Sequence, residues 1–205
     1  MTPVIIPDIV VGRLPLYLRA LAQFEISGSK VTSSHEMGEH LGISSAQIRK
    51  DLLHFGEFGK QGTGYNISYL KEQLEIILRV NQEWDVALVG AGGVGAAIVN
   101  YAGFLGRGFR IAVVFDNDPD KIGQKIDSLV VLSADQINTM INQMGIRIAM
   151  VAVPSDQAQY VTNKLIESGI ESILNYAPTS LIVPPEIRIQ HIDPVVGLQH
   201  MTYYL

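Results

Sequence analysis

The stretch Asp85-Val-Ala-Leu-Val-Gly90-Ala-Gly92-Gly93-Val-Gly95-Ala-Ala-Ile-Val constrains this chain more than any other. An aliphatic run, a Gly-x-Gly-x-x-Gly turn and a second apolar run predict a buried strand, a tight turn and a helix. Gly90 permits the turn, and Gly92 lets backbone approach a pyrophosphate with no Cβ in the way. Gly95 lets the helix lie close on the strand. The helix start offers free N–H groups to an anion. Taken alone, such a turn also fits an ordinary strand-to-helix connection. The next apolar run, Phe109-Arg-Ile-Ala-Val-Val-Phe115, ends at Asp116, 21 residues beyond Gly95. That spacing suits a carboxylate meeting the adenosine ribose hydroxyls of a dinucleotide. Asp116, Asn117 and Asp118 make a poor seat for a 2′-phosphate, so NAD(H) is expected rather than NADP(H).

From Val86 onward strand and helix patterns alternate, as a doubly wound parallel sheet of the Rossmann type requires. Strands are predicted over 86–89, 111–115, 129–132, 148–153, 172–174 and 187–192. Ligands on such sheets sit at the carboxyl ends of strands. The candidate cofactor residues are therefore Gly90, Ala91, Gly92, Gly93, Val94 and Gly95 of the turn, with Asp116 and Asp118 after the second strand. Pro154 and Asn175 join them from later strand ends. Tyr101, after the glycine-rich turn, completes the set, although a tyrosine there more often packs than binds.

The first 80 residues have a different rhythm. Leu14, Leu18 and Leu21 repeat at helical spacing, extended by Val10, Val11, Tyr17 and Phe24, and Pro15 leaves the start of that helix open. Ser33 and Glu36 have capping-box spacing, and Gly42 supplies a helix stop. A second capping box, Ser44-x-x-Gln47, follows at once. Two short helices joined by a tight glycine turn form a helix-turn-helix. In the second, Ile48, Leu52 and Phe55 face inward, while Ala46 and Lys50 point away, flanked by Gln47, Arg49, Leu53 and His54. Arg can read guanine, Gln can read adenine and Lys can meet phosphate, so that face suits a major groove. The stretch from Gly56 to Ile67 is rich in glycine, contains Lys60 and reads as a β-hairpin wing. The candidate DNA-contacting residues are Ser33, Ser34, Ser44, Ser45 and Ala46 with Gln47, Arg49 and Lys50. Lys60, Gly62, Gly64 and Tyr65 belong to the wing. A helix from Tyr69 leads to Asn81-Gln82-Glu83, where the boundary is expected: 1–80 winged helix-turn-helix, 84–193 nucleotide domain, 194–205 a terminal helix.

Charge and cysteine content bound the function. Of 15 Lys/Arg and 20 Asp/Glu, residues 1–80 hold 8 of each, so the acidic excess lies wholly beyond them. A neutral first domain leaves local patches to decide DNA binding. The chain has no cysteine, which removes disulfides, thiolate metal sites and thiol-based redox sensing. A redox signal must then enter through a bound molecule. No apolar run approaches the roughly 20 residues of a membrane span, and no basic-then-apolar leader opens the chain, so a cytoplasmic location with no membrane partner is expected.

Together these features resemble the Rex family of redox-sensing transcriptional repressors over nearly the whole chain. The resemblance rests on Arg13-Leu-Pro-Leu-Tyr-Leu-Arg19, Gln47-Ile48-Arg49-Lys50-Asp51-Leu52, Phe55-Gly56-x-Phe58-Gly59 and Gly62-x-Gly64-Tyr65. In the second half it rests on the glycine-rich turn, Phe115-Asp116-x-Asp118-Pro119 and Ile173-Leu174-Asn175-x-Ala177-Pro178. It implies a homodimer on an inverted-repeat operator in double-stranded DNA, released by NADH, with NAD⁺ competing for the site. It further implies a C-terminal helix, here 195–204, exchanged between protomers, and a switch linking Arg13 to Asp193.

Two other readings stand beside it. An NAD-dependent oxidoreductase needs a proton-handling group near the nicotinamide. His35, His40 and His54 lie in the first domain, and His191 and His200 have no evident partner, so no catalytic residue is expected. A CoA- or NAD-binding regulatory module without a DNA role is the other, since similar sheets bind CoA; Asp116 favours a ribose diol.

Overall fold

The structure is a computed structural model that describes residues 6–60 and 63–205. It divides into two compact units, Met1–Gln82 and Glu83–Leu205.

The first unit runs α1 (Asp8–Val11), α2 (Leu14–Ile26), β1 (Val31–Thr32), α3 (Ser34–Leu41), α4 (Ser45–Leu53), β2 (Gly59–Lys60), β3 (Gly64–Asn66) and α5 (Ile67–Ile77). The apolar stripe from Val10 to Phe24 is two helices. The chain breaks at Gly12 and Arg13, and Pro15 falls in the first turn of α2, where a missing N–H costs no helical bond. Both predicted caps form: the Glu36 N–H donates to Ser33 Oγ at 3.1 Å and the Gln47 N–H to Ser44 Oγ at 3.2 Å. Gly42 ends α3 at φ 68°, a conformation glycine adopts without a Cβ clash. Strands β2 and β3 form the antiparallel wing, and β3 also pairs with β1, giving the order β1-β3-β2. Leu14, Tyr17 and Leu21 of α2 pack on Met37 of α3, Ile48 and Leu52 of α4, and Leu70 and Leu74 of α5, all fully buried or nearly so.

In the second unit β4 (Trp84–Val89), α6 (Gly93–Val99), β5 (Phe109–Asp116), β6 (Lys125–Ile126), β7 (Leu129–Ser133), α7 (Ile137–Met144) and β8 (Ile148–Val151) come first. They are followed by α8 (Ser155–Glu167), β9 (Ser172–Asn175), β10 (Arg188–His191) and α9 (Pro194–Thr202). The sheet order is β10-β9-β8-β4-β5-β7-β6, parallel except for the two-residue edge strand β6. Successive residues of β4 serve opposite faces. Val86 and Leu88 join the core beneath Ile98 of α6, and Ala87 and Val89 join that beneath Ile137, Ile141 and Leu165 of α7 and α8. That two-sided burial explains the unbroken apolar runs. A bulge at Ala112 re-phases β5, since Val86 pairs with Ile111 but Ala87 with Val113. Strand β8 stops at Val151, two residues short of the sequence expectation, and Pro154 lacks an N–H for further pairing.

From β4 the chain proceeds to β5 and β7 on one side and returns to β8, β9 and β10 on the other. The topological switch point thus falls between β4 and β8, and the crevice opens at their carboxyl ends.

Candidate nucleotide cleft and nucleic-acid interface

At that crevice lies a cavity of about 500 Å³. Gly90, Gly92, Gly93 and Val94 line it from the glycine-rich turn, Asp116 and Asp118 from the end of β5, and Pro154 from the end of β8. The glycines divide by role. Gly90 sits at φ 105°, and a Cβ there would strike the Ala152 carbonyl; a Cβ on Gly95 would strike the Gly90 carbonyl. These two let strand and helix close together. Gly92 and Gly93 have nothing within 4 Å of a Cβ position, so side chains there would occupy the cleft itself. The cradle that a pyrophosphate needs is present.

Asp116 is 6 % exposed and governs the far side of the cleft. Its Oδ2 accepts the Ala91 N–H at 2.7 Å and the Lys121 ammonium at 3.3 Å, and its Oδ1 accepts the Asp118 N–H at 2.9 Å. Burial would push this carboxyl up, but the N–H groups of Asp118 and Ala91 and the Lys121 charge outweigh it and hold it below its ordinary value. A carboxylate has about four acceptor positions, so roughly one remains on Oδ1 for a ribose hydroxyl. Lys121 also pairs with Asp118 at 3.4 Å, so its charge is already matched by two carboxylates. It was not singled out in the sequence, though its place three residues after Asp118 in a tight turn was a signal. Val89, Val94, Val153, Val161, Tyr176 and Pro178 make most of the remaining wall apolar.

Four of the cofactor candidates do not line this cavity. Tyr101 does not line this cavity; it is 58 % exposed and packs edge-on against Phe104 at 5.3 Å. Asn175 is fully buried and does not line it either. Its amide donates to the Ala177 and Thr179 carbonyls at 3.1 and 2.9 Å and accepts the Ala177 N–H at 2.9 Å, which shapes the loop carrying Tyr176 and Pro178. Asn175 also contacts His191 Nδ1 at 3.1 Å, giving that histidine the partner the sequence did not reveal. Ala91 contributes through its N–H to Asp116, and Gly95 through its close packing.

In the first unit α4 is the second helix of a helix-turn-helix followed by a wing, the arrangement that carries major-groove recognition. Ala46, Arg49 and Lys50 are exposed along it, and Ser45 is half-buried at its start. Ser33 and Ser44 are occupied as caps, and Ser34 Oγ accepts from Arg49 at 2.9 Å, bridging α3 to α4. Gly64 and Tyr65 lie in β3, and the Lys60 backbone in β2; Gly62 lies outside the described residues. Replacing Lys50 by Ala is expected to weaken binding to all duplexes alike and to lower the slope of log affinity against log salt by about 1. Affinity measured at several salt concentrations reads that slope directly.

Sequence reasoning missed the residue that anchors this helix. Asp51 is 1 % exposed and accepts Arg13 Nε at 2.6 Å, Arg13 Nη2 at 2.8 Å, the Tyr17 hydroxyl at 2.6 Å and Gln47 Nε2 at 2.7 Å. Burial opposes its charge, yet these donors hold the carboxyl below its ordinary value. The Arg13 guanidinium is held charged by the same bonds, and burial beside Asp51 pushes the Tyr17 hydroxyl up. Arg13, expected to serve a switch with Asp193, is therefore engaged with Asp51 in this structure. Asp193 caps α9 by accepting the Val195 N–H at 2.9 Å. Among the described residues no cluster suits a metal ion, and no helix is long and apolar enough to cross a membrane.

A winged helix in one unit and a dinucleotide-type cleft in the other define a transcription regulator with a built-in nucleotide site. Residues 5–52 match the family model described as putative DNA-binding protein N-terminus, and residues 81–179 that of the CoA-binding domain. The redox-sensing transcriptional repressor Rex of Roseiflexus sp. (strain RS-1) is 49 % identical, covering 97 % of this chain and 90 % of that protein. The Rex of Chloroflexus aggregans is 47 % identical over 97 % and 94 %, and that of Desulfitobacterium hafniense 41 % over 97 % and 94 %. The crystal structure of RSP with β-NAD⁺ and operator DNA superposes with a TM-score of 0.92 at 34 % identity, covering 98 % of this chain and 92 % of that one. RSP with β-NADH gives 0.89 at 32 %, over 98 % and 94 %. The chain belongs to the Rex family of redox-sensing transcriptional repressors. It is a regulator, and the oxidoreductase reading is set aside, because these full-length relatives are repressors.

Proposed function

We propose that this protein represses transcription in the cytoplasm as a homodimer on an inverted-repeat operator, and that NADH in the β4/β8 cleft releases it while NAD⁺ competes for the same cleft. Its parts would be a winged helix over 1–80, a nucleotide domain over 84–193 and a dimerising helix over 194–205. The observation that carries the reading is the cleft itself: an open glycine cradle facing Asp116, in a chain that also carries a winged helix.

Gly92 and Gly93 would admit the pyrophosphate, and Asp116 would take a ribose hydroxyl at its spare acceptor position. Among the described residues lining the cleft the one cation is Lys121, already matched by two carboxylates, which favours NAD(H) over NADP(H). The bound dinucleotide supplies the redox signal as a ring that is neutral when reduced and cationic when oxidised. An apolar wall costs the cation its hydration and costs the neutral ring little, so Val89, Val153 and Pro178 favour the reduced form. Helix α9 exposes Val195, Val196, Leu198 and Met201 by 54–63 %, an apolar face suited to burial against a second protomer. Coupling of about 1–3 kcal/mol between cleft and dimer geometry changes operator affinity roughly 5–150-fold.

The test is separation of the two activities. Asp116→Ala is expected to weaken NADH binding at least about tenfold while ligand-free operator affinity stays within about twofold of wild type. Loss of both, or of neither, would refute the role given to Asp116.

A further inference from the structure

The Asp51 carboxylate has no acceptor position to spare. Oδ2 takes Arg13 Nε and the Tyr17 hydroxyl; Oδ1 takes Arg13 Nη2 and Gln47 Nε2. About four acceptor positions meet four donors. Asp51 itself is shut away from solvent at 1 % exposure, whereas Gln47, one turn earlier on α4, is half-exposed between Ala46 and the Arg49–Lys50 pair. Gln47 therefore stands at the edge of the exposed face with one end of its amide tied to a buried anion. A free glutamine amide can present its oxygen or its nitrogen to a partner by rotating about its last torsion. A carboxylate accepts only from the nitrogen, so the contact at 2.7 Å removes that choice. It leaves Oε1 and one N–H, the acceptor and donor that a bidentate contact to adenine uses.

We propose that Asp51 is a positioning residue for operator readout: by holding Gln47 Nε2 it fixes which edge of that amide faces the DNA. The inference rests on the reading of α4 as the operator-contacting helix. Arg13 and Tyr17 complete the device. They hold the carboxylate charged and immobile, so the amide is ordered before DNA arrives and loses less freedom on binding. An Asn at 51 would bring one acceptor oxygen where two now serve four donors, and its own NH₂ could capture Gln47 Oε1 and invert the amide.

The experiment is a panel of duplexes carrying each single base-pair change in one half-site, bound by wild type, Gln47→Ala, Asp51→Asn and Tyr17→Phe. Gln47→Ala is expected to lose about tenfold of preference at one base pair. Asp51→Asn is expected to lose preference at that same base pair, with the other positions changing less than about twofold relative to one another. Tyr17→Phe removes one of the four donors, from Oδ2, and should lower preference at that same base pair by less than Asp51→Asn does. An Asp51→Asn protein that binds every duplex more weakly by one common factor overturns the proposal, as does loss at a different base pair from Gln47→Ala. Wild type without preference at any position would overturn the operator reading and this inference with it. Should Asp51→Asn fail to fold, solvent exchange of the Gln47 side-chain amide protons in the wild type decides. Slow exchange of one Nε2 proton relative to the exposed Gln143 is expected, and equal rates overturn the proposal.

Discussion

Asp51→Ala is expected to lower the stability of the first unit by about 3–5 kcal/mol, the range for removing one partner of a buried ion pair. The Arg13 side chain is only 19 % exposed, so deleting the carboxylate strands a guanidinium and a buried Tyr17 hydroxyl together. Chemical denaturation followed by far-UV circular dichroism reads the loss, and a change below about 1 kcal/mol would contradict it. The same network sets a direction with pH. Because the folded state holds Asp51 below its ordinary value, the unfolded chain takes up that proton first as pH falls. Stability supplied by the network is present above the ordinary aspartate range near 4 and drains away as pH drops through that value and below it.

The second large effect separates two kinds of glycine. Gly95→Ala forces a methyl against the Gly90 carbonyl, a backbone atom that cannot swing aside, so β4 and α6 must part. Overpacking of this kind costs about 1–3 kcal/mol, and the turn that frames the cleft shifts with it. The expected result is a destabilised second unit with NADH binding reduced at least about a hundredfold. Gly92→Ala meets nothing within 4 Å and should leave stability unchanged while weakening NADH through crowding of the cleft. Thermal melts beside NADH fluorescence titrations distinguish the two, and equal melting temperatures for both variants would contradict the division.

Much of this was legible from local chemistry. Ser33, Ser44 and Gly42 announce helix ends because caps are satisfied within three or four residues, with no tertiary information required. The strands beneath the cleft were legible because parallel strands are buried on both faces and read as continuous apolar runs. What escaped depends on contacts far apart in sequence. Asp51 lies 38 residues from Arg13 and 34 from Tyr17, and by itself it reads as one more charge on a helix. Its place between Ile48 and Leu52, on the inward face, was the available sign. The edge strand β6 is two residues long and held by pairing with β7, too short for any period to register. Asn175 was found for its position at a strand end, but its fourfold hydrogen bonding turns it toward the loop it shapes and away from the cleft. Tyr101 was included because it follows the glycine-rich turn, with packing its commoner role; the helix ends at Val99, and Tyr101 packs against Phe104.

The central claim is that the nucleotide cleft governs DNA binding according to the redox state of its ligand. Fluorescence anisotropy of the protein on a labelled inverted-repeat duplex of the Rex type, titrated separately with NADH and NAD⁺ at fixed salt, tests it most directly. NADH is expected to release the duplex at concentrations where NAD⁺ leaves the complex intact, with added NAD⁺ raising the NADH needed. Tight NADH binding with no effect on the protein–DNA complex, or equal release by both forms, would contradict it.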